Sequence, residues 1–557
     1  MPQGRSERTV NSALWAAWGD ALGFITELTD ASGLAYRTGG HRHIDTLIAW
    51  RRKLGGRFGT VTPIPAGMYS DDTQLRLATS RAIRADGGFD VFAFSKLELP
   101  IWPLYELGGG RGSKTAADNL AKRDKNWNGN FFTGYDATGG NGAAMRIQPH
   151  VWAARDPLDF ELIYAPVIRN AVCTHGHPRG ILGAAFHAST LASALVHGSL
   201  SIHDISRSID SLQKVPEVVA ADRDLGRLWL PFWENKTNSS FQKQCLSAQS
   251  ELFHYLEELE RISHTEPTHL YSEAVRRLSL DDPARRGSGT LTAVVAAWLA
   301  IRAPDLKAAL ITCANSLGTD TDSIATMVGA IAGCWAGTPP EGELMDREYI
   351  AAEARRLSEV AEGKATSTFT YPSISAVRWP KRRGDAVASL GNGRWAVLGL
   401  GFGNLLEGTD ASSDGSRRLL RMDFGQTLLV SQPSNTATLE DSQLAKGYVG
   451  TAIRSSTSPQ PMPDLFSSQP TGRREPTRDS RTRDIHQQTD EVIRGGFDEA
   501  AIGRLILACA ENSEGEDPIL KAASVASIIV KAILARRTKS RDTATTKGNQ
   551  SGQKGRV

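Results

Sequence analysis

The sequence predicts a mainly α-helical fold: a large all-helical domain, then a small β-rich module, a disordered linker and a short C-terminal helical segment. Two patterns favour helices. Residues 180–195 and 291–301 are apolar on nearly all sides, which is typical of helices inside a large bundle. In a third stretch the apolar residues recur at the i, i+3, i+4, i+7 spacing of an amphipathic helix. They are Leu252, Tyr255, Leu256 and Leu259.

Composition agrees with a globular protein and excludes several classes. The chain has 557 residues, with 64 Lys and Arg against 61 Asp and Glu. This balance disfavours a protein that is basic overall and binds nucleic acid or a membrane surface. Five cysteines with no C-x-x-C pair disfavour a disulfide framework or a zinc ribbon. The N-terminus lacks the apolar stretch of a signal peptide, and the longest apolar runs fall short of the ~20 residues that cross a bilayer. We therefore expect a cytoplasmic protein without a membrane partner.

Domain boundaries follow from changes in pattern along the chain. Residues 1–362 read as the helical domain, and residues 366–432 as the β-rich module, because short β-type runs begin there. Asn392 and Gly393 stand directly before the second of these runs, and an Asn-Gly pair is a strong hairpin signal.

The remaining C-terminal residues divide into three parts. Residues 454–490 contain few apolar residues, so we expect a disordered linker. Residues 491–537 predict a short helical segment. Residues 538–557 predict a disordered tail that is rich in Lys and Arg, which makes it a candidate site for an acidic partner; a solvated tail without a partner is the alternative.

Two clusters of acidic and hydroxyl residues stand at the predicted starts of helices. The first is Ser70, Asp71 and Asp72, before a helical run, and the second is Asp320, Asp322 and Ser323, before an apolar helix. One alternative is simple N-capping, which needs a single Ser or Asp at each helix. Two such clusters within one domain could instead meet at one end of a bundle and form an all-oxygen site for Mg²⁺.

Three further segments are candidates for function. Residues 19–27 carry Gly19, Gly23 and Glu27, and the two glycines also suit close helix packing. The glycine-rich loop 139–146 would let a ligand approach backbone N–H groups, although such turns are common. His175 lacks the neighbouring Cys and His residues of a zinc site, so ligand contact or an ordinary hydrogen bond are its two readings.

Together these segments resemble the ADP-ribosylglycohydrolase family, which includes the dinitrogenase reductase-activating glycohydrolase. The resemblance covers about residues 11–340 and rests on GDALGFITE, SDDTQ, GGNGAAMR, TH and DTDSIA, in that order. It implies an all-α fold with a centre of two Mg²⁺ ions. The implied metal-holding residues are Ser70, Asp71, Asp72, Asp320, Asp322 and Ser323. Those implied to face ADP-ribose are Gly140, Asn141, Gly142, Ala143 and His175.

The resemblance also implies a reaction. The enzyme would hydrolyse the glycosidic bond at the anomeric carbon of the distal ribose and release ADP-ribose from a modified protein, nucleic acid or small molecule. Glu27 is the first candidate for proton transfer, and the metal-holding Asp71 and Asp322 complete the implied catalytic set. Two other functions remain open: a catalytically inactive ADP-ribose-binding module, and a Mg²⁺-dependent phosphohydrolase.

Overall fold

The chain folds into two compact units, Met1–Thr451 and Ala452–Val557. The computed structural model describes residues 4–55, 59–263, 266–410, 417–433, 438–450 and 485–511, together with residues 522, 525–526, 528–530 and 532–533.

The first unit is mainly helical, as the sequence predicts. Its described α-helices, in chain order, are α1 Arg5–Thr26, α2 Ala31–Thr38, α3 Asp71–Arg81, α4 Val91–Ala93, α5 Leu99–Ile101, α6 Arg111–Leu120, α7 Gln148–Trp152, α8 Phe160–Val172, α9 Pro178–His197, α10 Ile202–Ser211, α11 Val215–Ala221, α12 Leu230–Thr237, α13 Phe241–Glu260, α14 Pro267–Leu278, α15 Gly289–Arg302, α16 Leu306–Asn315, α17 Thr321–Ala332 and α18 Arg347–Ala361. The apolar runs at 180–195 and 291–301 lie in α9 and α15, and the amphipathic run lies in α13 with its apolar face buried.

Helix α9 is long and apolar enough to span a bilayer by length and composition, and among the described residues it alone passes that test. In the protein, however, 89% of its most apolar window is buried against neighbouring helices. It is therefore a core helix of this fold.

Helices α1 and α17 cross at very short range, and glycines make this possible. A Cβ atom added to Gly19 would lie 2.7 Å from the carbonyl oxygen of Ala325, and one added to Gly23 would lie 2.2 Å from that of Thr321. A Cβ atom added to Gly329 of α17 would likewise lie 2.4 Å from the carbonyl oxygen of Trp15. Close helix packing by the glycines of residues 19–27 is thus confirmed. This packing brings the start of α17 and the end of α1 together.

The described strands are β1 Trp50–Leu54, β2 Thr60–Ile64, β3 Ser367–Thr370, β4 Val387–Gly391, β5 Arg394–Val397, β6 Gly401–Asp410, β7 Arg417–Met422, β8 Thr427–Ser431 and β9 Gly447–Gly450. Strands β1 and β2 form an antiparallel hairpin inside the mainly helical region. The sequence did not predict this hairpin, because three consecutive basic residues in β1 and Pro63 in β2 hide the alternation of buried and exposed positions.

The β-rich module contains an antiparallel sheet in the order β4-β5-β6-β7-β8, and β3 pairs separately with β9. Asn392 and Gly393 both have positive φ angles, 49° and 73°, and connect β4 to β5, which confirms the predicted hairpin turn. The sheet belongs to the same compact unit as the helices. The predicted order, a helical domain followed by a small β-rich module, is thus confirmed.

The second unit contains helices α19 Ile485–Arg494 and α20 Glu499–Glu511. Val492, Leu505 and Cys509 pack with Val525 and Ile529 in a small apolar cluster. Helix α19 begins inside the stretch predicted to be linker, because its residues have an amphipathic pattern that the overall polar composition conceals. Residues 454–484 and the predicted tail 538–557 lie outside the described residues. All five cysteines are buried and in the reduced form.

Candidate active site

The two acidic clusters meet at the starts of α3 and α17, as the sequence predicts. The Ser323 hydroxyl donates a hydrogen bond of 3.4 Å to Asp72 Oδ2, across 251 positions of sequence. Asp71, Asp72 and Asp322 are 5%, 1% and 3% exposed, respectively. Two helix N-termini and their carboxylates thus share one buried place in the fold.

The start of α3 separates the capping residue from the remaining acids. Ser70 is the N-cap, and its hydroxyl oxygen accepts a hydrogen bond of 3.2 Å from the Asp72 backbone N–H. The N-capping interpretation is therefore confirmed for Ser70. Asp71 and Asp72 occupy the first turn of α3, where acidic groups interact favourably with the helix dipole.

At the start of α17, Asp320 occupies the N-cap position without forming a capping hydrogen bond from its side chain. Its Oδ2 instead accepts a bond of 2.9 Å from the Asn141 side-chain amide. Asp322 Oδ1 accepts a bond of 2.9 Å from the backbone N–H of Ser323. The Thr321 hydroxyl donates a 2.8 Å bond to the carbonyl oxygen of Gly23, which fixes this helix start against α1.

Burial and mutual repulsion raise the pKa values of Asp71, Asp72 and Asp322. The pKa of Asp72 lies well above its usual value because of burial and of the charges of Asp20, Asp71 and Asp320. For Asp322 the causes are burial followed by the charges of Glu27, Asp72 and Asp320. Burial and like charges therefore make these acids harder to ionise than free carboxyl groups when no cation is bound.

The donor chemistry fits a hard divalent cation. Asp72 Oδ1 is buried and has no hydrogen-bond partner, so one anionic oxygen is left without compensation. Carboxylate and hydroxyl oxygens are the ligands that Mg²⁺ prefers. Within the described part of the chain, no three His, Cys, Asp or Glu side chains are already gathered at metal-binding distances. The carboxylates therefore converge without forming a finished coordination shell.

Glu27 lies directly after α1, beside the same acids. A Cβ atom added to Gly108 would lie 3.0 Å from Asp71 Oδ1 and 3.4 Å from Glu27 Oε2, so both carboxylates border one point. Arg52 of β1 donates a 2.9 Å ion-pair hydrogen bond to Glu27 Oε2. The pKa of Glu27 is raised by burial, and the charge of Arg52 opposes that rise.

Asp20 organises the start of α3 from α1. Its two carboxylate oxygens accept backbone hydrogen bonds from Ser70 at 3.0 Å and from Thr73 at 2.9 Å. The side chain is fully buried, so these donors provide the polar partners that a carboxylate inside a tight helix contact needs. Asp20 is a structural support of the acidic cluster.

The glycine-rich loop lies against a second glycine loop, and both border the acidic cluster. Gly140 and Ser288 form an antiparallel bridge, and the backbone N–H of Asn141 donates to the carbonyl oxygen of Gly287 at 2.9 Å. A Cβ atom on Gly289 would lie 2.9 Å from the carbonyl oxygen of Gly140. Since the Asn141 side chain also reaches Asp320, this loop and the acids form one continuous site.

His175 contacts the glycine-rich loop from the interior of the protein. A Cβ atom on Gly142 would lie 3.1 Å from His175 Cε1, and the ring Nδ1 is 2.7 Å from the Thr174 hydroxyl. Burial and the charge of Arg146 lower the pKa of His175 to about 3, so the ring is neutral. The predicted loop residue Ala143 is fully buried and presents no side-chain surface to a ligand.

Arg146 holds the same loop in place. Its fully buried guanidinium donates to the carbonyl oxygen of Gly142 at 2.8 Å, to the Asn170 side chain at 2.8 Å and to the Thr174 hydroxyl at 2.8 Å. An arginine that donates this many bonds inside the core fixes the loop conformation.

All the predicted site residues therefore lie in one region. Sequence reasoning missed the roles of Arg52, Asn141's side chain and Arg146, which depend on contacts between distant segments. The only sequence signal for Arg52 was its place among three consecutive basic residues, which usually indicates a solvated surface.

Comparisons with known proteins identify the family to which this chain is similar. The family model described as ADP-ribosylglycohydrolase matches residues 1–366. A curated relative, the ADP-ribosyl-[dinitrogen reductase] glycohydrolase of Rhodospirillum rubrum, is 29% identical over 177 residues, which is 31% of this chain. The chain spans 52% of the length of that relative. A solved structure titled ADP-ribosylglycohydrolase-related protein complex is 20% identical in sequence, with a TM-score of 0.40. The superposition covers 64% of this chain and 99% of the chain in that structure.

Proposed function

The chain belongs to the ADP-ribosylglycohydrolase family, and from this premise we propose that it is a Mg²⁺-dependent hydrolase that releases ADP-ribose from a modified target. The observation that carries the proposal is the hydrogen bond between Ser323 and Asp72, because it joins two acidic helix starts far apart in sequence. A structural pair of N-caps would not need the carboxylates of Asp71, Asp72 and Asp322 buried together, with Asp320 and Glu27 beside them.

Two Mg²⁺ ions, when bound, would orient the distal ribose through its hydroxyl groups and neutralise the carboxylates around it. The residues that would hold them are Ser70, Asp71, Asp72, Asp320, Asp322 and Ser323. Asp71 and Asp322 are also the proposed catalytic aspartates. The uncompensated oxygen of Asp72 and the raised pKa values of Asp71, Asp72 and Asp322 support this assignment.

Glu27 is proposed to move the proton. In the hydrolysis, water adds to the anomeric carbon, the glycosidic bond breaks, and the leaving group on the acceptor takes up a proton. Glu27 is suited to shuttle that proton because burial raises its pKa above the usual value of a glutamate, and a carboxyl group with a raised pKa holds a proton more readily. Arg52 keeps the carboxylate pointed at the acids and limits the rise of its pKa.

The glycine loops are proposed to hold the ADP-ribose. Gly140 and Gly142 carry no side chain, so phosphate oxygens can approach this loop closely, while the Asn141 backbone N–H already donates to Gly287. Ala143 and His175 would act from within the fold, because Ala143 is fully buried and His175 is almost so. The neutral His175 ring would then fix the loop rather than bind a phosphate by charge.

An ADP-ribosylated protein is the substrate class we favour. The relative from Rhodospirillum rubrum is named for its action on ADP-ribosylated dinitrogen reductase. A nucleic-acid or small-molecule carrier remains a second class for the assay. We further propose a cytoplasmic location, since five buried and reduced cysteines suit a reducing compartment.

The test is to incubate the full-length protein with Mg²⁺ and ADP-ribosylated protein, and to separate the products by chromatography. Free ADP-ribose with an unmodified acceptor supports the proposal. AMP with a ribose phosphate would indicate a phosphohydrolase, and intact substrate that stays bound would indicate an inactive ADP-ribose-binding module. A parallel reaction with excess EDTA should show no release, and undiminished release there would refute the metal requirement.

A further inference from the structure

Strands beyond the family match contact the segment that leads into the acidic cluster. The match ends at residue 366, whereas the hairpin formed by β7 and β8 lies at residues 417–431. The turn between β7 and β8 packs against α3 and α18, together with the first residue of β8. Phe424 lies 4.9 Å beneath the Arg81 guanidinium, and Arg81 also donates a 2.6 Å bond to the Gln426 side chain.

A single carboxylate connects this hairpin to the residue before Ser70. Asp346 Oδ2 accepts from the Thr427 backbone N–H at 2.6 Å and from the Tyr69 hydroxyl at 2.7 Å. Asp346 Oδ1 accepts from the Thr427 hydroxyl at 2.7 Å. Tyr69 is fully buried, and Asp346 is 5% exposed. The carboxylate thus bonds to the sheet and to the entry of α3 at the same time.

A second contact fixes the same entry segment. The backbone N–H of Met345 donates a 3.1 Å bond to the carbonyl oxygen of Gly67, and a Cβ atom on Gly67 would lie 2.1 Å from the carbonyl oxygen of Glu343. The segment from Gly67 to Tyr69 therefore has little room to move. Ser70, Asp71 and Asp72 follow it directly.

We propose that the β7–β8 hairpin is a positioning element of the site: Thr427, acting through Asp346 and Tyr69, fixes the start of α3 and with it Asp71 and Asp72. This inference rests on the proposed function of those acids. Its physical basis is the repulsion among the carboxylates, which pushes the helix start outward unless the surrounding hydrogen bonds resist. Groups that orient metal-holding residues commonly change affinity by about 10- to 100-fold when they are removed.

The test measures Mn²⁺ binding to the full-length protein by electron paramagnetic resonance, with Mn²⁺ as the probe for the site. Thr427→Val removes the hydroxyl bond to Asp346, and Tyr69→Phe removes the bond on the other side. Each is expected to weaken Mn²⁺ binding about tenfold. Because both act through Asp346, the double variant should weaken binding less than the product of the two effects. Thr427→Ser keeps the hydroxyl and should bind like the wild type.

Tyr371→Phe is the matched control. It also removes a buried hydroxyl hydrogen bond between the β-rich region and the helices, a 2.6 Å bond to Glu98, but Glu98 pairs with Arg81 at the far end of α3. Its thermal stability should fall while Mn²⁺ affinity stays unchanged. The proposal is overturned if Thr427→Val and Tyr69→Phe weaken Mn²⁺ binding no more than this control does.

Two further outcomes also decide the matter. If Thr427→Val does not fold, the comparison of Tyr69→Phe with Tyr371→Phe decides in its place. A wild-type protein that binds no Mn²⁺ and releases no ADP-ribose would refute the proposed function, and this inference with it. Wild-type binding with unaffected variants would refute only the role of the hairpin.

Discussion

Replacing Gly23 by alanine is expected to damage activity far more than the size of one methyl group suggests. The added Cβ would lie 2.2 Å from the carbonyl oxygen of Thr321 and 2.6 Å from Asp322 Cα. Ordinary van der Waals contact begins at 3.4 Å. The 2.2 Å separation must therefore grow by about 1.2 Å, so the start of α17 must move away from α1 by that distance. Asp322 moves with it, and a shift of ~1 Å at reacting groups can cost about 100-fold in rate.

The stability effect can be estimated from two opposing terms. Forcing a methyl group into a packed contact costs about 1–3 kcal/mol, and the rigid backbone here favours the upper end. Alanine gains back about 1 kcal/mol over glycine in a helix. We therefore expect a net loss of about 2 kcal/mol in the free energy of unfolding, together with the loss of rate.

Gly19→Ala separates the two effects. Its Cβ would lie 2.7 Å from the carbonyl oxygen of Ala325, in the same helix contact but further along α17 from Asp322. A shift of about 0.7 Å brings that pair to 3.4 Å. Both variants should melt at lower temperature, but ADP-ribose release should fall about 100-fold only in Gly23→Ala. Equal losses of rate in the two variants would refute the argument from displacement.

Three other predictions concern the carboxylates. Asp71→Ala and Asp322→Ala should each abolish ADP-ribose release, yet leave thermal stability without divalent cations undiminished, because each removes a buried charge that its neighbours repel; full activity in either variant contradicts the site. Glu27→Gln should keep ADP-ribose binding in calorimetry while kcat falls at least ~100-fold. Arg52→Gln should move the limb of the pH–rate profile that reports Glu27 to higher pH, since the Arg52 charge lowers the pKa of Glu27. An unmoved limb would exclude Glu27 as the titrating group. In EDTA, the free energy of unfolding should decline from about pH 4 towards neutrality, and more steeply in the wild type than in Asp72→Asn. The reason is that the raised pKa of Asp72 makes the folded state bind more protons than the unfolded chain. Equal slopes in thermal melts across this pH range would contradict the prediction.

The sequence predicts those parts of the molecule that local pattern determines. The starts of α3 and α17 were predictable because a hydroxyl or acidic residue stands directly before a helical run in each case. The turn at Asn392 and Gly393 was predictable because positive φ angles favour that pair. The meeting of the two acidic clusters was inferred from their repetition and from the family resemblance.

Contacts between distant segments were not predictable from local pattern. The pairing of Arg52 with Glu27 requires the β1–β2 hairpin to fold over the end of α1, and the residues of β1 resemble a solvated surface. Packing of the sheet on α3 and α18 was missed for a similar reason. Short β-type runs indicate strands, but they do not reveal that Thr427 faces a buried carboxylate of another element.

The crowded carboxylates and the dense support around them are two parts of one physical problem. Two helix N-termini supply partial positive charge to the site, yet the pKa values of Asp71, Asp72 and Asp322 remain raised, so this charge does not balance the acids. Without a cation the ionised acids repel one another, and outward movement of a helix start would relieve this repulsion, as would the uptake of protons that the raised pKa values favour. Asp20 holds the start of α3, and the glycine contact with α1 holds the start of α17. If the site binds cations as proposed, its affinity for them and its resistance to relaxation depend on each other: a looser scaffold would be more stable without metal and would bind metal more weakly.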